Sequence, residues 1–366
     1  METAQATRAR PVPLIRPALG PAEAAALSDA ALGGWLGSGV YTRLFEARFA
    51  AFAGGRHCAA LSSGTAALHM ALEAARARGG QVITTPLTDV ATAHAILHAG
   101  AEPRFCDVDA RGLLDPAAVA AALTSRTRAV VAVHLAGHPC DMDALRALTR
   151  RRGVFLLEDC CAALAAAYKG RPVGTLGDAG AFSFSRHKSP TAVDGGALLL
   201  RSPVLRRRVA RLSRMGLDAA RGVRELGWRS RMSDLSAVVG ISQLARWKGL
   251  RAALERHRRV YHEALEGHAA LLPPQDAPWA RRGLSQFTVS VRGGRGAALV
   301  DHLRARGIEA ARRLYPAHLH RLYRPWRRRL PNAERLWKGL VNLPFSPDLT
   351  RDETARVADA LRAFRG

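Results

Sequence analysis

No apolar run in the 366 residues approaches the ~20 needed to span a bilayer, which excludes a protein anchored by membrane helices. The opening stretch METAQATRARPVPLIRP holds no apolar core of signal-peptide length, so the cytoplasm is the expected compartment. Cysteine is scarce and odd in number: Cys58, Cys106, Cys140, Cys160 and Cys161. No CxxC or mixed Cys/His spacing appears, so no metal site is expected. The adjacent pair Cys160 and Cys161 is poorly placed for a disulfide, and a reducing compartment fits best. No repeat of solenoid length is visible. Lysine is nearly missing: only Lys169, Lys188, Lys248 and Lys338 stand among the 55 basic residues. Acidic residues are also few, 30 in all, which leaves a net charge of +25.

What is present is an ordinary globular composition, 48% hydrophobic and 23% charged. At roughly 150 residues per domain, the length predicts about two domains. The charge is uneven. Residues 1–200 carry 20 basic and 16 acidic side chains, whereas 201–366 carry 35 and 14. Charge alone suggests a nucleic-acid binder. No helix-turn-helix or zinc-finger pattern supports that, and the arginines lie scattered, so nucleic acid is not the expected partner.

Strand-like and helix-like stretches alternate from 57 to 200. HCAALSS, QVITT, EPRFCDV, AVVAVHL, VFLLED, AGAFSFS and GGALLL read as strands. GTAALHMALEAARA, ATAHAILHAG, DPAAVAAAL and DMDALRALTRRRG read as helices, the third capped by Asp115 and the last ending at Gly153. The alternation predicts an α/β protein with a mostly parallel sheet covered by helices on both faces. Long helical patterns follow at 203–215 and 233–266. After a Pro- and Gly-rich stretch comes a smaller unit with QFTVSV, AALVDHLRARG and TRDETARVADALRAF.

In an open α/β sheet, ligands bind beyond the carboxyl ends of the strands. Three features fall at such ends. Ser62-Ser63-Gly64-Thr65 runs from strand into helix, and a helix N-terminus with small residues suits a phosphate, or is an ordinary N-cap. Glu158-Asp159 closes an apolar strand, and Asp159 is a metal ligand, a nucleophile, the partner of a protonated ring nitrogen, or a cap. Phe182-Ser183-Phe184-Ser185-Arg186-His187-Lys188 ends in one of the rare lysines. An amine that can lose its proton does what arginine cannot. Together a phosphate cradle, a carboxylate and a lysine make a constellation that binds pyridoxal 5′-phosphate (PLP).

In these blocks the sequence resembles the DegT/DnrJ/EryC1/StrS family of PLP-dependent aminotransferases, acting mainly on keto sugars and cyclitols. SSGTAAL, PLTDVATAHAIL, GAEPRFCDVD, AVVAVHLAGHPCDMDAL, LLEDCCAALAAAYKGRPVGTLGDAGAFSFSRHK and VDGGALLL follow in family order, as do RMSDLSAVVGISQL, RGIEAARRLYP..LH and LPFSPDLT. Before them, GGWLGSGVYTRLFEARFAAFAGG is similar to the family's first helix. The resemblance implies fold type I, aspartate-aminotransferase-like, with a large domain built on a mostly parallel seven-stranded sheet and a small C-terminal α+β domain. We place the division at 1–255 and 256–366. It also implies a homodimer with shared active sites, PLP as cofactor, and a small-molecule amino donor, glutamate or glutamine, with a keto acceptor that is a sugar, sugar nucleotide or cyclitol.

By the same resemblance Lys188 is the Schiff-base lysine and Asp159 the partner of the pyridine nitrogen. Ser183 and the Gly64-Thr65 backbone hold the phosphate. Arg229 stands where the family has an asparagine that reaches the neighbouring subunit's phosphate. Asp89 takes the place of a cofactor-stacking aromatic residue, and is either a cofactor-facing carboxylate or the N-cap of the following helix. Ala162, Leu164 and Ala165 replace a Gln, a His and a Gly of the block after Asp159. His187, Tyr315 and His320 are candidate substrate residues. Readings left open are a different PLP reaction, such as dehydration or deoxygenation, and a non-catalytic regulatory relative.

Overall fold

The computed structural model describes residues 10–366. The first nine residues, within both the leader reading and the 1–255 unit, lie outside the described residues.

The chain enters through α1 (Pro21–Leu32) and α2 (Val40–Phe52). The start of α2 has no local side-chain cap. Instead the buried Asp234, 192 positions away from Thr42, accepts from the backbone N–H groups of Gly39 and Thr42 at 2.8 Å each. A sheet core follows: β1 (His57–Leu61), α3 (Gly64–Ala74), β2 (Gln81–Thr84), α4 (Val90–His98), β3 (Glu102–Phe105), α5 (Pro116–Ala122), β4 (Thr127–Val133), α6 (Met142–Arg152) and β5 (Phe155–Asp159). Two short strands, β6 (Ala167–Tyr168) and β7 (Arg171–Pro172), precede β8 (Ala179–Ser183) and β9 (Gly196–Leu200). Seven of these strands form one sheet in the order β1-β9-β8-β5-β4-β2-β3. Within it only β9 runs antiparallel to its neighbours, which makes the sheet mostly parallel as the alternation predicts.

Both faces of this sheet are buried, which is why its strands read as unbroken apolar runs. On β4, Val130 and Ala132 pack with Met142 and Leu145 of α6, while Ala129 and Val131 pack with Leu68 and Ala71 of α3. Asp115 caps α5 through Ala117 N–H at 2.9 Å, and Gly153 closes α6 in the left-handed conformation, φ +62°. At the end of β8, Phe182 and the following Phe184 meet Phe49 of α2 edge-on, with ring centroids 5.0 Å apart in both pairs. The period of two then sends Ser183 to the opposite face.

After α7 (Pro203–Leu212) the structure departs from the reading in one respect. The pattern at 233–266 is two helices, α8 (Asp234–Ala245) and α9 (Trp247–Leu265), parted at Arg246. The two serve different cores: Ala237 of α8 packs with Phe45 and Phe49, whereas Trp247, Leu254 and Tyr261 of α9 pack with Phe287, Leu299 and Val357. That second core lies under β10 (Leu271–Leu272), β12 (Phe287–Val291) and β13 (Leu340–Leu343), an antiparallel sheet. The two-residue strand β11 (Ala280–Arg281) pairs instead with β6. Helices α10 (Gly296–Arg304), α11 (Pro331–Gly339) and α12 (Arg351–Ala363) complete the unit, α12 with a Thr350/Glu353 capping box. Position 255/256 lies inside the unbroken α9. The second core also takes in Val12 and Ala18. Val12 exchanges backbone hydrogen bonds with Gly307 and Glu309, and Arg16 pairs with Glu353 at 2.7 Å. No helix among the described residues is long and apolar enough to cross a membrane.

One buried histidine yields a pH prediction. His69 of α3 meets Trp228 edge-on at 4.7 Å and lies 3.5 Å from Glu73. Burial, then the nearby His98, lowers its pKa from 6.5 to about 4, and burial raises that of Glu73. The contact is therefore not an ion pair at neutral pH. An unfolded chain takes up this proton near 6.5 and the folded chain only near 4. The contribution of neutral His69 is intact above about 6.5 and lost as pH falls toward 4, by at most about 3 kcal/mol. Urea midpoints between pH 7 and 4 should fall more steeply for wild type than for His69→Gln. Parallel curves would refute this.

Candidate active site

The carboxyl ends of β2, β4, β5 and β8 open onto one cavity of about 470 Å³. Its lining includes Asp89, Asp159, Lys188, Arg312, Tyr315 and His320. Sequence analysis named all of these except Arg312, from segments up to 231 positions apart, and the fold brings them to one place. A larger cavity, about 820 Å³, lies at the amino ends of β4 and β5 among Arg128, Arg146 and Arg152. It holds no lysine, cysteine or histidine and none of the predicted site residues.

Asp159 is the last residue of β5 and only 5% exposed. Its Oδ2 accepts from Thr92 Oγ1 at 2.8 Å and its Oδ1 from Cys161 N–H at 3.1 Å. Thr92 Oγ1 also lies 2.7 Å from Thr88 Oγ1. Thr92, in the first turn of α4, thus braces the carboxylate, and Thr88, just before the helix, bonds Thr92 in turn. Sequence analysis quoted both in the TDVAT block without giving them a role. Thr88 precedes the Asp89 cap and Thr92 follows it, so helical periodicity does not relate the two and only the fold brings Thr92 to Asp159.

Asp89 caps α4, its Oδ1 accepting from Ala91 N–H at 3.0 Å, and the same side chain lines the cavity. The two readings of this residue are compatible. Lys188 is half-buried beyond β8, its N–H bonded to Ser185 O at 2.8 Å.

The first turn of α3 lies beside this cavity. Ser63 caps the helix through Ala66 N–H at 3.1 Å, and Ala67 N–H bonds Ser63 O. The N–H groups of Gly64 and Thr65 have no partner among the described residues, as expected for a helix start. A Cβ on Gly64 would stand 2.8 Å from Ser183 Cβ and 3.0 Å from Cys161 Sγ. Gly196 packs as tightly: its Cβ would fall 2.1 Å from Ser63 O. These glycines let β8, β9 and the α3 turn converge, so two free N–H groups and the Ser183 hydroxyl share one spot. Free N–H groups, a helix dipole and a hydroxyl form a cradle that fits a phosphate group. A buried carboxylate and an amine on the same cavity fit a ring nitrogen and an aldehyde carbon. The residues present therefore fit PLP.

Neighbouring groups are structural. Glu158 accepts from Gly174 N–H at 2.8 Å and from Leu176 and Gly177 N–H at 2.7 Å, and lies 3.1 Å from His134 Nε2. With Cys160 alongside, this is a compact His/Glu/Cys group. Each carboxylate oxygen already has two partners, so it reads as a hydrogen-bonded brace beneath β5. Burial, then the nearby Asp159, pushes the Cys161 thiol well up, which keeps it neutral.

The remaining candidates lie elsewhere. His187 is exposed and shares a small cavity with Lys188 and Arg313 behind the main one. Burial, then Arg186, Arg313 and Lys188, lowers its pKa. Arg229 is exposed, bridges to Arg214, and does not line the cavity of its own chain.

Known proteins place this arrangement. The profile of the DegT/DnrJ/EryC1/StrS aminotransferase family matches residues 17–362. The spore coat polysaccharide biosynthesis protein SpsC of Bacillus subtilis is 33% identical over 377 aligned positions, covering 96% of each chain. The crystal structure of S. venezuelae DesV, in complex with a ketimine intermediate, superposes with a TM-score of 0.91 at 33% identity over 96% of this chain and 98% of that one. DesI, crystallised in the presence of its TDP-sugar product, gives 0.90 at 33% identity over 96% and 92%.

Proposed function

Because the chain belongs to the DegT/DnrJ/EryC1/StrS aminotransferase family and is a PLP-dependent sugar aminotransferase of fold type I, we propose that it moves the amino group of glutamate or glutamine to a keto sugar, with a sugar nucleotide ahead of a cyclitol as acceptor. The observation that carries the residue assignment is the meeting of Lys188 and Asp159 on one cavity beside the free N–H groups of α3. The TDP-sugar product of DesI favours the nucleotide-linked acceptor.

PLP supplies an electron-accepting ring conjugated to the substrate amine. The protein supplies the rest. Lys188 Nζ would hold the cofactor covalently, and its free amine would carry the proton at the substrate's reacting carbon. Asp159, held by Thr92 and Cys161 N–H, keeps the ring nitrogen protonated. Gly64 and Thr65 N–H with Ser183 Oγ would hold the phosphate, and Asp89 lines the same cavity. Tyr315 and His320 border the substrate, with His187 at the rear of Lys188.

Arg229 reaches the phosphate of a second copy in this reading. Large apolar side chains of the segment leading to Arg229 face solvent, Val223 73% and Leu226 75% exposed, as expected where two copies meet. A one-chain mass in solution with cofactor capture intact would remove the dimer. Four fully buried free thiols suit a reducing, cytoplasmic setting.

PLP-loaded protein given ¹⁵N-glutamate or ¹⁵N-glutamine with a keto sugar nucleotide should yield a labelled amino sugar nucleotide and the donor's keto acid. Cofactor capture without exchange of the donor Cα proton would refute transamination, and turnover of the sugar without label transfer would point to a dehydratase.

A further inference from the structure

Several arginines of this protein are matched to carboxylates. Arg206 pairs with Glu46 at 2.8 Å, Arg246 with Glu23 at 2.5 Å and Arg282 with Asp276 at 2.7 Å. Arg312, like Arg104 and Arg146, is half-buried without such a partner among the described residues, and of these three it alone borders the cavity of Lys188. Its Nε is sealed from solvent without a hydrogen-bond partner, and neither it nor Arg313 has a carboxylate within 4.0 Å among the described residues. Its guanidinium lies over the ring of Trp337, 4.1 Å from the centroid. Trp337 meets Tyr315 edge-on at 4.9 Å, and Tyr315 meets His320 in the same way at 4.9 Å. Arg312, Tyr315 and His320 all line the cavity of Lys188 and Asp159.

An unpaired, partly desolvated guanidinium is costly to hold. Stacking on Trp337 offsets part of that cost and fixes the plane of the fork. A fixed planar fork without a partner, bordering a ligand cavity, suits two oxygens of one anionic group. We propose that Arg312 is the anion anchor of the substrate site, binding a carboxylate or phosphate of a bound substrate, with Trp337 as its positioning residue. The proposal rests on the aminotransferase reading of Lys188 and Asp159. Two substrates carry suitable oxygens: the amino donor through a carboxylate, and a sugar nucleotide through its diphosphate.

The test titrates full-length PLP-loaded protein with glutarate, for the donor, and with inorganic pyrophosphate, for the acceptor, and reads binding by calorimetry. Wild type, Arg312→Lys, Arg312→Gln and Trp337→Leu are compared, with the visible absorption of bound PLP reporting that each variant folds. Arg312→Gln should weaken at least one probe by about tenfold or more, with Arg312→Lys and Trp337→Leu between it and wild type. Loss for pyrophosphate alone assigns the anchor to the acceptor, loss for glutarate alone to the donor, and loss for both to a site used in turn. Equal affinities in wild type and Arg312→Gln, or no saturable binding of either probe to wild type, overturns the proposal. Wild type that captures no PLP strikes the aminotransferase reading instead, and the same titrations on unloaded protein, with folding read by circular dichroism, then decide on Arg312.

Discussion

Lys188→Ala is expected to lower amine transfer at least about 10³-fold while leaving the fold intact. The size follows from the absence of any substitute. Lys169, Lys248 and Lys338 do not line the cavity, and Lys169 is engaged with Asp143 at 2.7 Å. Lys188→Arg should be nearly as damaged, since guanidinium keeps the charge but cannot give up its proton to act as a nucleophile. Bound cofactor in the variants should be removable by dialysis, because the phosphate cradle of Gly64, Thr65 and Ser183 remains but the covalent link is gone. Steady-state rates with the best donor and acceptor, together with absorbance before and after dialysis, check both parts. A variant with more than a tenth of wild-type activity would show that Lys188 is not the attachment point.

Asp159→Asn is expected to be the second most damaging change, at about 10²- to 10³-fold in kcat. The amide keeps the size of the carboxylate, and its oxygen can still accept from Thr92 or Cys161 N–H. What it loses is the negative charge that, in the proposed mechanism, would face the ring nitrogen, in a site only 5% exposed. The loss should fall on kcat and leave cofactor affinity changed by far less, because the phosphate cradle is elsewhere. Equal losses in kcat and in cofactor binding would mean that Asp159 holds the fold together and has no special role at the ring. Thr92→Val supplies an internal comparison. It removes one of the two bonds to the carboxylate and should reproduce a fraction of the same kcat loss.

Much of this was legible in the sequence for reasons of geometry. The AVVAV run of β4 announces a strand buried on both sides, and FSF at the end of β8 sends two phenylalanines to the core and the serine between them to the other face. Lys188 stood out because the chain otherwise uses arginine. What stayed hidden depends on distant partners. Thr92 acquires its role only when β5 places Asp159 beside α4, 67 positions on. Arg312 looks like one more arginine until α11 lays Trp337 beneath it. The break at Arg246 was invisible because α8 and α9 both have helical periodicity, and only the existence of two cores distinguishes them.

The backbone pairing of Val12 with residues 307–309 bears on how the molecule is put together. The unit that carries Arg312 closes its core with residues near the other end of the chain, 295 positions apart in the case of Leu14 and Glu309. During synthesis those early residues emerge long before their partners, so this unit is the last piece to assemble. Such sequence-distant closure is slow to form. A fragment starting at 256 would lack Val12, Ala18, Trp247, Leu250 and Leu254 of its own interior. The substrate-facing unit is thus sewn shut from both ends of the polypeptide, and cannot be excised, swapped or grafted as a self-contained module.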